Sequence, residues 1–388
     1  MHRHHRIRRT GLALAAPLAS LALVVTPALA GAGVTEAKAA SCSNWVTTPP
    51  PNPGTQDNFF RGVAALSPCD VWAVGDYRNG GSLRLTMAEH WNGTSWKLVH
   101  TPSPGNGSNT LNAVTAVAHG NVWAAGQADG NSLILHWNGR KWARVSSPSP
   151  GAFSGLVGVA AVSATGVWAV GGTGPTDAVE QTLILHWNGR KWARFTSPSP
   201  GHDGELDSVT AVSPRSAWAV GDYTSGATGK TLVEHWNGKN WVRAASPNPP
   251  GSVTVMALNG VSASSSSNAW AVGNYSDGSG QKTITLRWNG RAWKLVKSPS
   301  PASAPTLAGV TAISAGDAWA VGNHVAGSAT TTLIMHWNGR AWVKSPSPSP
   351  GLSSVLTGVT STSADNVWAV GSFDNGPGGG QNLAIHCC

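Results

Sequence analysis

Six histidines return at one place in a recurring pattern: His90, His136, His186, His235, His336 and His386. Imidazole is the commonest zinc and copper ligand and a frequent general base, so a row of six invites a metal or catalytic reading. Ligands must lie about 2 Å from a shared ion, whereas equivalent strand positions in successive units are on the order of 10 Å or more apart. The row therefore cannot hold one ion, Arg287 takes its place in one copy, and no metal or cofactor is implied. Carboxylates could do general acid–base work if they converged in pairs. They are sparse, however: Asp70, Asp317 and Asp365 fall in turns, where capping is expected, and Asp203, Glu205 and Asp207 fall in a link expected to be solvated. Serine is too abundant to single out a Ser-His-Asp arrangement.

What must position these residues is a repeat. Trp-Ala-Val-Gly or Trp-Ala-Ala-Gly begins at Trp72, Trp123, Trp168, Trp218, Trp270, Trp319 and Trp368, spaced 51, 45, 50, 52, 49 and 49 residues apart. A second signature, typically His-Trp-Asn-Gly, follows six of them, with its Trp at 91, 137, 187, 236, 288 and 337. Alternating apolar residues predict four strands per unit: LNAVTAV-like, VWAVGDY-like, TLILHW-like and KWARVSS-like. Asn-Gly between the third and fourth predicts a tight hairpin turn, and Ser-Pro-rich links close each unit. Such small sheets cannot stand alone. Seven of them in a ring predict an all-β, seven-bladed β-propeller with four antiparallel strands per blade.

The seventh unit stops at NLAIHCC, and CSNWVTTPPPNPG near residue 41 reads like its missing fourth strand, with Trp45 as its Trp. The ring is thus expected to close by the N-terminal strand lying beside the last, with Cys387 where Trp337 sits in its own copy. Cys42, Cys69, Cys387 and Cys388 are then all disulfide candidates. One pairing joins Cys42 to one of the terminal two and Cys69 to the other; the alternative joins Cys387 to Cys388 and Cys42 to Cys69.

The order of an alternating strand, a strand ending in Val-Gly, a strand ending in an aromatic, a turn and a Trp resembles the kelch repeat and the galactose-oxidase type of propeller across residues 41 to 388. It also resembles secreted bacterial propellers of unassigned role. A copper radical site of the galactose-oxidase kind would need a Tyr–Cys pair and further Tyr and His ligands. Only Tyr77, Tyr223 and Tyr275 exist, all at one blade position, and closure claims the cysteines.

Residues 1 to 40 combine a basic start, the apolar run GLALAAPLASLALVV and small residues near 30 and 40, the form of an export signal. Arg8-Arg9 with Leu12 leaves the Sec and twin-arginine routes both open. The formal net charge is +9, of which +5 remains beyond residue 40, spread without a basic run, so neither nucleic acid nor a retained membrane span is expected. Residues 41 to 388 are expected to form one secreted, monomeric propeller.

All 20 tryptophans fall at repeat positions, which reads as packing between blades rather than sugar stacking. What varies is the loop after the second strand, and a ligand face is expected at Asp76, Tyr77, Asp222, Tyr223, Asn274 and Tyr275. The expected function is a non-catalytic binding scaffold for a protein or glycan. A multivalent lectin, and an extracellular hydrolase or oxidase, are the alternatives.

Overall fold

The computed structural model describes residues 42, 44–176, 181–251, 253–301, 303–376 and 379–387. The expected export signal, residues 1 to 40, and Cys388 lie outside them. Twenty-eight strands and no helix are found among the described residues. The first blade is β2 (Asn58–Ser67), β3 (Asp70–Tyr77), β4 (Leu85–Trp91) and β5 (Trp96–Val99), joined antiparallel in that order. Five more blades of the same order span residues 109–145, 153–195, 202–243, 255–295 and 306–345. The seventh is β26 (Ser353–Ser363), β27 (Asn366–Asp374) and β28 (Gln381–Cys387), completed by β1 (Trp45–Thr47).

Closure follows the register expected from the repeat. Trp45 lies opposite Cys387, as Trp342 lies opposite Trp337 in the sixth blade. Cys42 and Cys387 form a disulfide with their Cα atoms 5.6 Å apart, across a sequence separation of 345. Cys69 corrects the four-cysteine scheme: its thiol is free and exposed. It turns toward the hairpin of its own blade, where a Cβ on Gly93 would lie 3.0 Å from its Sγ, and one bridge serves the closure without it.

Each part of the repeat has a steric reason. The Gly of Trp-Ala-Val-Gly runs so close to the first strand that a Cβ would lie 1.8 Å from the Phe59 carbonyl oxygen at Gly75 and 2.0 Å from that of Glu205 at Gly221. The Trp of the same motif is buried against the next blade. Trp72 meets Trp137 at 5.1 Å and Trp142 edge-on at 5.3 Å, and Trp368 closes the ring on Trp91 and Trp96 at 5.1 and 5.5 Å. Where Cys387 replaces a Trp, Trp319 meets one tryptophan of the next blade instead of two, Trp45 at 5.6 Å. Aromatic pairs in these offset and edge-on geometries contribute about 0.5–1.5 kcal/mol beyond the area they bury.

The Ser-Pro links are latches. In the sixth blade the Thr332 N–H donates to Ser349 Oγ at 3.0 Å, and the hydroxyls of Thr332 and Ser347 lie 2.6 Å apart. Prolines between these serines have no N–H to extend a strand, so the chain turns away to the next blade. The expected tight turn at Asn-Gly forms between the third and fourth strands, with the positive φ falling on the glycine. Four residues separate Trp91 from Trp96; Gly93 takes φ +96°, while Asn92 accepts the Thr94 and Ser95 N–H groups at 3.0 Å through its side chain. The asparagine is therefore selected as a side-chain acceptor, not for a left-handed backbone.

Candidate functional site

The first strand of every blade carries a β-bulge at one position, occupied in turn by Arg61, Asn112, Val157, Asp207, Asn259, Ala308 and Thr357. The next residue is small because neighbouring first strands crowd at the axis: a Cβ on Gly62 would lie 2.9 Å from the Ala113 Cα, and one on Gly260 would lie 3.0 Å from the Gly309 Cα. The bulge residue, that small residue and the valine after it, from all seven blades, line a central channel of about 340 Å³. The seven bulge side chains, scattered over some three hundred residues of sequence, thus converge on one cavity.

Three of them tie blades together. Asn112 donates to the Leu156 carbonyl at 2.8 Å, Asn259 to that of Leu307 at 2.8 Å and Thr357 to that of Phe60 at 2.8 Å. The charged two do not share that role. Arg61 donates to Asp76 Oδ1 at 2.5 Å, and Arg84 pairs with the other oxygen of the same carboxylate, leaving Asp76 fully buried between two guanidinium groups. Blade four carries the opposite charge. Asp222 stands where Asp76 stands in blade one, paired across the strand with Glu205, but Asp207 replaces Arg61 and Gly229 replaces Arg84. Among the described residues no ion pair reaches Glu205, Asp207 or Asp222.

Burial pushes the Asp207 carboxyl well above its ordinary range, and the charges of Glu205 and Asp222 push it further. Burial, then Glu205, raise Asp222 to about 7, and burial raises Glu205. The solvated link expected around residues 203 to 207 holds for the exposed Asp203 and is corrected for the other two: the first strand begins at His202, and Glu205 and Asp207 are half-buried in it. The bulge resets the side-chain alternation, which brings the Asp207 side chain to the channel wall.

The six residues of the expected ligand face divide by alternation. Asp76, Asp222 and Asn274 turn toward the axis, Asn274 accepting from Asn259 at 3.3 Å. The tyrosines turn outward. Tyr223 is buried under the Arg243 guanidinium at 4.7 Å and bonded to it, the Lys282 ammonium lies 5.9 Å from the Tyr275 ring, and Tyr77 lines a separate groove with Leu98 and Pro102. The bulge positions, which sequence reasoning passes over, are visible as the one non-repeating residue just before each Gly-Val, Ala-Val or Ser-Val pair.

The histidine row is part of the scaffold. His90, His136, His186, His235, His336 and His386 each stack on the Trp directly across the sheet, at 4.1 to 4.5 Å. Burial lowers His136, His186, His235 and His386 below the ordinary imidazole range. Sixteen tryptophans are buried and the other four, Trp91, Trp137, Trp187 and Trp288, are half-buried, as packing between blades requires.

Two further carboxylates sit where the other blades have Leu, Met or Ile. Glu89 is completely buried; Asn382 donates to its Oε1 at 3.2 Å, while Glu89 Oε2 and Asn382 Oδ1 have no other partner. Burial raises Glu89 to about 9 against the lowering effect of that bond. Glu234 is likewise raised, to about 8, and accepts from Ser197 at 3.0 Å. Both are held neutral near pH 7.

This geometry defines a seven-bladed β-propeller with an axial channel lined by polar and apolar side chains alike and a closing blade shared by β1 and β26–β28. Solved propellers are similar to it in fold. A structure titled YCF48 bound to D1 peptide aligns at TM-score 0.55 and 13% identity, covering 88% of this chain and 96% of that one. The RRP9 WD40 repeats align at TM-score 0.58 and 8% identity, over 89% and 97%. The GH74 xyloglucanase from Xanthomonas campestris aligns at TM-score 0.52 and 13% identity, over 88% of this chain and 55% of that one. No protein-family model matches the chain, and no curated protein does. The likeness carries the propeller but not the kelch or galactose-oxidase subtype.

Proposed function

We propose that this chain is an exported, non-catalytic binding propeller that receives a protein segment carrying a basic side chain at the mouth of its channel, beside Glu205, Asp207 and Asp222. One contrast carries the reading: equivalent carboxylates are neutralised by Arg61 and Arg84 in blade one and by nothing within blade four. An incoming guanidinium would complete in blade four the pairing that blade one already contains, a charge-assisted geometry in which both carboxylate oxygens are used. Asp222, held near 7, gives up its proton readily to such a partner. The peptide-bound YCF48 structure supports a channel or face of this fold as a peptide receptor in general terms. The leader-like residues 1 to 40 and the disulfide support an oxidising, extracellular setting.

A peptide array with a central Arg, Lys, Leu or Glu in otherwise varied sequences tests this. Selective retention of Arg and Lys members, tightening from pH 6 to 8 and lost in Asp207→Asn/Asp222→Asn, is expected. Retention indifferent to the central charge would refute it, and selective binding on a parallel glycan array would move the assignment to a carbohydrate.

A further inference from the structure

On the opposite end of the ring, where first strands turn into second strands, the histidine row is broken by one extra residue. His119 lies in the turn of blade two, and its Nδ1 is 2.8 Å from Asp70 Oδ2. The other oxygen of Asp70 lies 2.8 Å from His90 Nε2. One atom from each of Asp70, His90 and His119 falls within 4.8 Å of the others.

We propose that Asp70, His90 and His119 form a divalent transition-metal site, fitted to zinc, that joins blade one to blade two. Two imidazoles and one carboxylate are a standard donor set for such ions, with the fourth position left to water. Tetrahedral bonds of about 2.0–2.2 Å place ligand atoms roughly 3.4 Å apart, so small side-chain movements from the present hydrogen-bonded arrangement suffice. The ion would replace the two ring N–H donations to the carboxylate. The His90 ring is already held in place, stacked on Trp72 at 4.5 Å with its side chain 18% exposed. His119, 80% exposed, is free to swing onto the ion.

The repeat supplies its own controls. Asp317 and His336 form the same pair at 2.9 Å in blade six, but Ala364 stands where His119 stands in blade two, so only two donors meet there. In blade five the His is Arg287, which donates to the Ala315 carbonyl at 2.8 Å, showing that this turn position reaches the third strand of the preceding blade. The six equivalent histidines remain too far apart to share an ion. The third donor comes from a residue off the repeat.

Calorimetric titration of the chelator-stripped full chain, free of any histidine tag, with zinc chloride tests the site. His119→Ala is expected to lose one equivalent of zinc binding relative to the parent, Asp70→Asn to weaken that equivalent at least tenfold, and Asp317→Asn to leave it unchanged. The visible absorption of tetrahedral cobalt should appear in the parent and vanish in His119→Ala. Superimposable titrations of parent and His119→Ala, or loss of the equivalent in Asp317→Asn, would overturn the proposal. Because His119 is exposed, its replacement leaves the fold intact and the comparison remains readable.

Discussion

Replacing Glu89 by Gln should stabilise the propeller, and the gain should depend on pH in a defined direction. The folded chain keeps the Glu89 proton up to about pH 9, whereas an ordinary Glu releases it at about 4.5. Between those values the folded state binds more protons than the unfolded one, so stability falls as pH rises through the window. At 1.36 kcal/mol per pH unit, ionisation of the unfolded chain costs about 3 kcal/mol at pH 7 and about 6 kcal/mol at pH 9. A Gln amide does not ionise, and it reproduces the neutral pairing. Its oxygen accepts from Asn382 Nδ2 as Glu89 Oε1 does, and its NH₂ can donate to Asn382 Oδ1, which otherwise has no partner. Urea unfolding at pH 5, 7 and 8.5 reads the effect. The variant should nearly match the parent at pH 5, exceed it by about 3 kcal/mol at pH 7 and gain more at pH 8.5. A flat difference, or a variant weaker at every pH, would refute the neutral acid–amide pair.

Gly221→Ala should cost at least about 3 kcal/mol or prevent folding, since its Cβ would meet the Glu205 carbonyl at 2.0 Å, whereas Gly81→Ala, open to solvent, should change the thermal midpoint little. The joint change of Cys42 and Cys387 to Ser should remove up to about 5–6 kcal/mol in the chain-entropy description of a loop this long and open β1 to proteolysis first, seen by comparing melting and cleavage sites with the oxidised parent. Burial lowers His136 and His186, so the unfolded chain protonates first as pH falls below about 6.5 and stability drops there; His186→Gln should lose less of its melting temperature between pH 7.5 and 5.5 than the parent.

The architecture is legible in the sequence because its determinants are periodic. Trp72 through Trp368 mark blades by spacing alone, and aligning NLAIHC with the other third strands places Cys387 opposite Trp45, the register found. Residues at the axis are harder to read for a geometric reason. A bulge shifts the alternation by one, so the side of the strand on which Asp207 or Arg61 emerges depends on a ladder irregularity that composition does not announce. The expected ligand face is half displaced for the same kind of reason: Asp222 and Tyr223 are neighbours in sequence but emerge on opposite sides of one strand. Cys69 misleads because four cysteines near one end invite two bridges, and only the turn around Gly93 shows where its sulfur points.

A blade built from β1 and β26–β28 imposes an order on assembly. During synthesis from the N-terminus, the segment Trp45–Thr47 has no partner until Gln381–Cys387, which lies far along the chain, emerges. Blades one to six each contain their own four strands and can form in sequence, by contacts mostly within about fifty residues. The annulus itself is sealed in one late event, and a polypeptide truncated before residue 381 would keep six sheets while losing the Trp45 cover over Trp319 and the His386 ring stacked on Trp368, leaving those faces ready to adhere to another molecule.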